Sequence, residues 1–166
     1  MPILDDRNFE FFSHSPDQTR RLGIYLGGYL QRGDVICLEG NLGSGKTTLV
    51  QGIAQGWGAL DPVSSPTYVI VNEYRRPGEQ RLFHVDAYRL ENALDAEFLD
   101  FDRMLAQGPI VIEWPERITS VLPENTLWIS LGYTGVEHRS MMLTPKGNRP
   151  EKIIKNIRRN IYGDIS

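Results

Sequence analysis

The 166-residue sequence has a single cysteine, only three histidines and no long uninterrupted run of apolar residues. One cysteine cannot form a disulfide within the chain, and the histidines lack metal-ligand spacing, so neither a disulfide framework nor a zinc site is predicted. The apolar runs are far too short to span a bilayer, and the amino terminus has no basic segment followed by an apolar one. We therefore expect a cytoplasmic location without membrane association. The net charge of −3 does not favour a protein that coats nucleic acid.

The composition itself is that of an ordinary globular protein, with 40% hydrophobic and 23% charged residues. We expect one domain over residues 1–148. Residues 149–166 carry five Lys/Arg against two Asp/Glu, with four isoleucines at helical spacing. This segment is predicted to be a basic C-terminal helix packed on the domain; the alternatives are a docking element for protein or RNA, or a partly disordered tail.

The strongest motif is residues 40–48, GNLGSGKTT, which fits the phosphate-binding loop G-x-x-x-x-G-K-[ST]. An apolar strand pattern precedes it at residues 35–38, and a helical pattern follows it as far as Trp57. Glycines allow the backbone N–H groups to converge on an anion, and the helix start adds a positive dipole end. The motif predicts nucleoside triphosphate binding by Leu42, Gly43, Ser44, Gly45, Lys46, Thr47 and Thr48.

Lys46 and Thr47 are the loop residues with direct chemical roles in this motif. The lysine is expected to reach the β- and γ-phosphates, and the threonine hydroxyl to face Mg²⁺. Glu113 follows the apolar triplet 110–112, and a buried glutamate needs a metal or a cationic partner, so we predict that it serves Mg²⁺. Asp86 follows the strand 81–85 and either supports hydrolysis or caps a turn.

Two further residues lie in loops that should face the nucleotide. Thr67 lies in the loop after the first helix of the motif, where it either senses the γ-phosphate or metal as part of a switch-like segment or stabilises a turn. Trp114 follows Glu113 directly and either gates the site or packs in the core.

The remaining patterns define the architecture. Ser15, Pro16 and Gln18 predict a capped helix start, with Gly33 closing that helix. Hairpins are predicted around the turn 77–78 and around residues 133–135. Together the elements predict an α/β, P-loop NTPase-like three-layer fold with a mixed sheet: a parallel core and antiparallel hairpin edges.

Four blocks of the sequence together resemble the TsaE (YjeE) family of bacterial P-loop ATPases. They are residues 40–48 (GNLGSGKTT), 65–68 (SPTY), 84–90 (HVDAYRL) and 113–117 (EWPER). The resemblance implies ATP and Mg²⁺ as cofactors and support for TsaB and TsaD, which threonylcarbamoylate adenosine 37 of tRNA. It implies catalytic roles for Lys46, Asp86 and Glu113, a metal site at Thr47 and Glu113, and only indirect contact with tRNA.

Other readings of a phosphate-binding loop stay open at this point. One is a small-molecule or nucleoside kinase, for which Arg75 and Arg76 offer an adjacent arginine pair beside the predicted turn 77–78. Another is a nucleotide-dependent binding module with negligible hydrolysis. For an ATPase, slow turnover alone is expected, because no arginine finger is assured; Arg89, Arg117 and Arg139 are the candidates.

Overall fold

In a computed structural model of the chain, residues 7–41, 43–63, 70–91 and 93–163 are described. Seven strands form one sheet, in the order β1-β7-β6-β2-β5-β4-β3. The strands are β1 (Phe9–Ser13), β2 (Val35–Glu39), β3 (Val71–Arg75), β4 (Arg81–Asp86), β5 (Ile110–Glu113), β6 (Thr126–Tyr133) and β7 (Arg139–Lys146).

The centre of the sheet is parallel and its edges are antiparallel. Strand β2 pairs in parallel with β5 and β6, and β4 pairs in parallel with β5. The hairpin β3–β4 is antiparallel, as are the pairs β6–β7 and β1–β7. The predicted mixed sheet is therefore confirmed. The carboxyl ends of β2, β4 and β5 lie side by side at the C-terminal end of the parallel core.

Helices cover both faces of this sheet. They are α1 (Pro16–Tyr29), α2 (Lys46–Trp57), α3 (Ala93–Glu97), α4 (Phe101–Gln107) and α5 (Asn148–Tyr162). Alternate side chains of β2 serve two cores: Ile36 and Leu38 pack with α1, α2 and α5, whereas Val35 and Cys37 pack with the α3–α4 side. The result is the predicted three-layer α/β arrangement. None of the described helices combines the length and hydropathy that crossing a membrane requires.

Helix α1 begins as its sequence predicts. The Ser15 backbone is extended, and its Oγ accepts from the Gln18 N–H at 3.2 Å. Gln18 Oε1 in turn accepts from the His14 N–H at 2.7 Å. These two bonds satisfy backbone donors that would otherwise lack partners at the helix start.

The predicted end of α1 at Gly33 is wrong, because the helix ends at Tyr29. Leu30 takes an extended conformation, and Gly33 lies in the following turn with φ of +90°. The tertiary structure provides the reason: Arg149 Nη2 donates to the Tyr29 carbonyl at 2.6 Å, while Asp34 Oδ2 accepts from the Gln31 N–H at 2.7 Å. These bonds satisfy the carbonyl and the amide that a longer helix would have used internally.

Helices α1 and α2 touch through glycines, which brings their backbones close together. A Cβ at Gly27 would lie 2.0 Å from the Ile53 carbonyl oxygen, and one at Gly52 would lie 2.1 Å from the Arg20 carbonyl oxygen. Neither position tolerates a larger residue without movement of a helix. This contact fixes α2, whose first residue is Lys46.

The C-terminal helix α5 packs on the same side of the sheet as α1. Its isoleucines Ile153, Ile154 and Ile157 are buried in the core, while Lys155 is exposed and Lys152 is likewise on the outer side. Division of the chain into a domain of residues 1–148 and a separate segment 149–166 stays a prediction.

Candidate functional site

A cavity of about 820 Å³ lies at the carboxyl ends of the parallel strands. The register places Glu113 opposite both Leu38 on β2 and Asp86 on β4, so the two strand-end carboxylates are neighbours across the sheet. The cavity is lined by Gly43, Gly45, Lys46, Thr47, Thr48, Asp86, Tyr88, Arg89, Glu113, Trp114 and Arg139. Residues distant in sequence thus converge on the start of α2.

The loop before α2 has the backbone conformation that its glycines permit. Gly43 and Gly45 have φ of +78° and +104°, which strongly favour glycine. A Cβ at Gly43 would also lie 2.6 Å from the Tyr133 hydroxyl oxygen. Among the described residues no side chain caps the start of α2 at Gly45, so its first N–H groups stay available to an anion.

Lys46 is buried beside this loop and makes two contacts with the described residues. Its Nζ donates to the Gly40 carbonyl at 2.6 Å and lies 4.0 Å from the centre of the Trp114 ring. Burial lowers the pKa of Lys46, while the negative charges of Glu113 and two further carboxylates oppose that shift. A charge that has lost most of its water gains when a multivalent anion enters the site.

Asp86 ends β4 and does two things at once. Its Oδ1 accepts from the Tyr88 N–H at 3.1 Å, and its Oδ2 accepts from Arg89 Nε at 3.4 Å. It therefore caps the short 3₁₀ turn Ala87–Arg89, and it also lines the cavity. The sequence offered a cap or a site role as alternatives, and the geometry accommodates both.

Glu113 is almost buried, with 8% of its surface exposed, and its partner is a histidine. Its Oε2 lies 2.6 Å from His84 Nε2, and His84 Nδ1 lies 3.1 Å from the Tyr74 hydroxyl. Sequence reasoning missed this pairing of Glu113 with His84. The signal was available: if the strands before Asp86 and Glu113 pair in parallel, His84, two residues before Asp86, lies on the same face as both carboxylates.

Trp114 lies in the wall of the cavity. Its backbone has φ of 59°, uncommon for a non-glycine residue, and its ring lies 5.1 Å from the Tyr88 ring. Because Lys46 Nζ lies 4.0 Å from the centre of the same ring, the indole connects the phosphate-binding loop to the turn after β4. The backbone conformation turns the chain after Glu113 so that the ring faces the site.

Of the three candidate arginines, Arg139 and Arg89 line the cavity. Arg139 crosses the loop from β7: its Nη2 donates to the Gly43 carbonyl at 3.3 Å, and its guanidinium lies 4.6 Å from the centre of the Tyr133 ring. Its Nε is buried without a hydrogen-bond partner among the described residues. Arg117 instead donates to the Leu90 carbonyl at 3.4 Å.

Ser44 is buried within the loop, where its N–H donates to the Asn41 carbonyl at 3.0 Å. Leu42 and Thr67 lie outside the described residues.

The side chains at the cavity fit a magnesium ion bound together with phosphates. Among the described residues, no group of three or more His, Cys, Asp or Glu side chains could hold a metal by itself. Thr47, Asp86 and Glu113 nevertheless share one cavity. Mg²⁺ is usually held by one or two carboxylates with the remaining positions taken by phosphates and water, and this donor set matches that pattern.

Comparison with known proteins gives one consistent result. Residues 13–141 match the family model described as threonylcarbamoyl adenosine biosynthesis protein TsaE. The chain is 35% identical over 147 residues to TsaE of Bacillus subtilis (88% of this chain, 91% of the relative). It is 38% identical over 144 residues to TsaE of Nostoc sp. (84% and 88%). The crystal structure of Bacillus subtilis YdiB superposes with a TM-score of 0.76 at 30% identity, covering 93% of this chain and 96% of YdiB. The chain therefore belongs to the TsaE family of threonylcarbamoyl adenosine biosynthesis proteins.

Proposed function

We propose that this protein is a Mg²⁺-dependent ATPase that supports TsaB and TsaD in the N6-threonylcarbamoylation of adenosine 37 of tRNA. The observation that carries the proposal is the shared cavity: loop glycines, Lys46, Thr47 and the carboxylates Asp86 and Glu113 all line it. Family membership supplies the pathway, and the chemistry of the cavity supplies the reaction class.

Phosphate binding falls to the loop and the start of α2. The N–H groups of the first helical turn and Lys46 would hold the β- and γ-phosphates, with Thr48 beside them in the cavity wall. Lys46 exchanges its contact with the Gly40 carbonyl for a charged phosphate oxygen, which is a stronger acceptor. Nucleotide binding by Leu42 and Ser44 and a switch-like role for Thr67 stay predictions.

The carboxylates and Thr47 would serve the metal and the water. Thr47 and Glu113 would hold Mg²⁺, which when bound neutralises charge on the transferring phosphoryl group. Asp86, on the adjacent strand, would orient the attacking water through an oxygen that now accepts from the Arg89 side chain or the Tyr88 amide. Trp114 would close the site from the side of Lys46.

The cavity arginines favour an ATPase that is slow by itself. Arg139 is held by the Gly43 carbonyl and the Tyr133 ring, and Arg89 contacts Asp86. Both must leave present contacts before either can stabilise the transition state, so a partner that rearranges or supplements them raises turnover. We propose that TsaB and TsaD provide this partner and that contact with tRNA is indirect.

The arginine pair that a kinase reading requires lies elsewhere. Arg75 pairs with Asp61 at 3.0 Å, and Arg76 donates to the Trp57 carbonyl at 3.0 Å. Both line a second cavity at the β3–β4 turn rather than the one at the phosphate-binding loop. Analysis of the reaction products tests both alternatives, because a kinase would phosphorylate an acceptor and a binding module would release almost no phosphate.

The deciding experiment measures Mg²⁺-dependent phosphate release from ATP, first by this protein alone and then with purified TsaB and TsaD. We expect slow release alone and a rise of at least roughly tenfold with both partners, since completing a phosphoryl-transfer site increases turnover strongly. The variant Lys46→Ala, assayed with the partners, corrects for their own hydrolysis. A phosphorylated acceptor would establish a kinase, and equal release with and without partners would contradict partner dependence.

A further inference from the structure

Three side chains on neighbouring strands form a hydrogen-bonded line that ends at the candidate metal site. Tyr74 lies on β3, His84 on β4 and Glu113 on β5, all on one face of the sheet. We propose that His84, backed by Tyr74, is a positioning residue that fixes the carboxylate of Glu113 for its ligand in the cavity. This inference rests on the proposed function, because it concerns the same site.

If the His84 ring is neutral, its two hydrogen bonds define which atoms donate. Glu113 Oε2 is an acceptor 2.6 Å from His84 Nε2, so the ring must carry its proton on Nε2 to donate there. Nδ1 of a neutral ring is then an acceptor, and the Tyr74 hydroxyl, 3.1 Å away, is its donor. Burial, followed by the charge of Glu113, raises the pKa of Tyr74 to about 12, which keeps the phenol protonated. Tyr74 therefore fixes the tautomer that holds Glu113.

Burial makes the arrangement rigid. His84 is 2% exposed and Tyr74 is 3% exposed, so water does not compete for either bond. Because His84 holds Oε2, the other carboxylate oxygen of Glu113 is the one left for a ligand at the cavity wall. Metal-binding side chains are commonly oriented by such outer partners, and loss of one typically costs about 10–100-fold in metal affinity.

The line also keeps two opposite charges in separate contacts. Lys46 Nζ donates to the Gly40 carbonyl, whereas Glu113 accepts from His84. A glutamate without His84 would be a nearly buried carboxylate close to a cation, and its best partner would be Lys46. By holding Glu113, His84 leaves the lysine for phosphate and the glutamate for the metal.

The test compares two amide substitutions of His84 in the full-length protein. In His84→Gln the side-chain amide reaches the position of Nε2 and can donate to Glu113, whereas in His84→Asn it reaches only the position of Nδ1. ADP affinity is measured by titration calorimetry with and without Mg²⁺, beside Glu113→Gln. We expect the affinity for Mg²⁺ in the ADP complex to fall about 10–100-fold in His84→Asn and to stay close to wild type in His84→Gln. Affinity for ADP without Mg²⁺ should stay close to wild type in His84→Gln and fall in His84→Asn, because Glu113 without its partner competes with phosphate for Lys46.

A second readout uses the ligand-free protein. Nitrogen-15 NMR of the histidine rings should show His84 as the Nε2–H tautomer, with a slowly exchanging ring proton because the side chain is buried. In Tyr74→Phe the ring should lose this single tautomer while the fold is retained. This measurement decides the question if His84→Asn fails to fold.

The outcomes separate the inference from the function on which it rests. If Glu113→Gln leaves the effect of Mg²⁺ on ADP affinity intact, Glu113 is not a metal ligand. That result would overturn both the metal site of the proposed function and the positioning role of His84. If Glu113→Gln abolishes the effect but His84→Asn matches wild type, only the positioning role is overturned. Equal losses in His84→Gln and His84→Asn would show that His84 merely fills space, and an Nδ1–H tautomer would also overturn the proposal.

Discussion

At the scale of single residues, Lys46 combines a charge with a nearly buried position. Only 7% of the residue is exposed, and among the described residues it contacts the Gly40 carbonyl and the Trp114 ring. Burial is the largest influence on its pKa and lowers it, and the nearby carboxylates only partly offset that effect. We therefore expect this side chain to bind an incoming anion rather than to stabilise the fold.

Replacement of Lys46 by alanine should accordingly damage binding and spare folding. We expect ADP affinity to fall roughly 10–100-fold, because a charge-assisted hydrogen bond contributes about 1.5–3 kcal/mol. Thermal unfolding should stay cooperative, since the substitution removes a desolvated charge. Calorimetric titration with ADP and circular dichroism melting would measure the two effects.

A matched control for that experiment is Lys155→Ala on α5, where the lysine is exposed and distant in sequence from the site. It should bind ADP as the unmodified protein does. Wild-type affinity in Lys46→Ala would remove this residue from the site, whereas loss of cooperative unfolding would show that its burial serves the core.

At the scale of elements, the contact between α1 and α2 depends on glycines whose demands differ from one position to the next. The Cβ of an alanine at position 27 would lie 2.0 Å from the Ile53 carbonyl oxygen, so the two helices would have to move apart. The neighbouring Gly28 faces open space, where an added Cβ would meet nothing within 4 Å among the described residues. Position 27 of the helix thus requires glycine, whereas position 28 has room for a side chain.

We expect Gly27→Ala to lower the free energy of unfolding by about 3 kcal/mol, because overfilling a close backbone contact strains both helices. Gly28→Ala should instead raise it by about 0.5–1 kcal/mol, the usual gain from replacing glycine inside a helix. Urea titration followed by circular dichroism would measure both. Equal effects of the two substitutions would contradict the close helix contact.

At the scale of the whole molecule, Cys37 lies at the centre of the sheet and reports on the integrity of the fold. It is fully buried, and burial is the main cause that raises the pKa of its thiol from 9.0 to about 12. Thiolate is the reactive form, so the native protein should react with a thiol reagent at pH 8 at least about a thousandfold more slowly than the unfolded chain. Timed labelling with and without urea would measure the ratio, and similar rates in both would contradict a buried thiol.

The same shift predicts a pH dependence of stability with a definite sign. Between pH 9 and pH 12 the thiol ionises in the unfolded chain but not in the folded one, so the unfolded state binds fewer protons. The free energy of unfolding should therefore fall as pH rises through this range, by up to about 1.4 kcal/mol per pH unit from this group. Urea titrations at pH 8 and pH 10 in the unmodified protein and in Cys37→Ala would isolate the contribution; parallel changes in both would contradict it.

Several features of the fold followed from local patterns. The apolar runs before Gly40 and Glu113 are buried parallel strands, and the cap formed by Ser15 and Gln18 begins α1. The end of α1 was not predictable, because it depends on Arg149, which lies 120 residues further along the chain than Tyr29. Local patterns describe contacts between neighbours in sequence, and that bond is not one of them.

Local sequence was enough to predict a phosphate-binding loop between a buried strand and a helix, and carboxylates at the ends of two other strands. These features depend on glycine spacing, apolar runs and the residues that end them. Three contacts at the site were identified only from the tertiary structure: Glu113 bonded to His84, which Tyr74 backs, Arg139 crossing the loop, and Lys46 against Trp114. They arise from the order and register of the strands, which bring distant segments together at the carboxyl ends of the parallel strands. Strand order and register are not encoded in any local pattern.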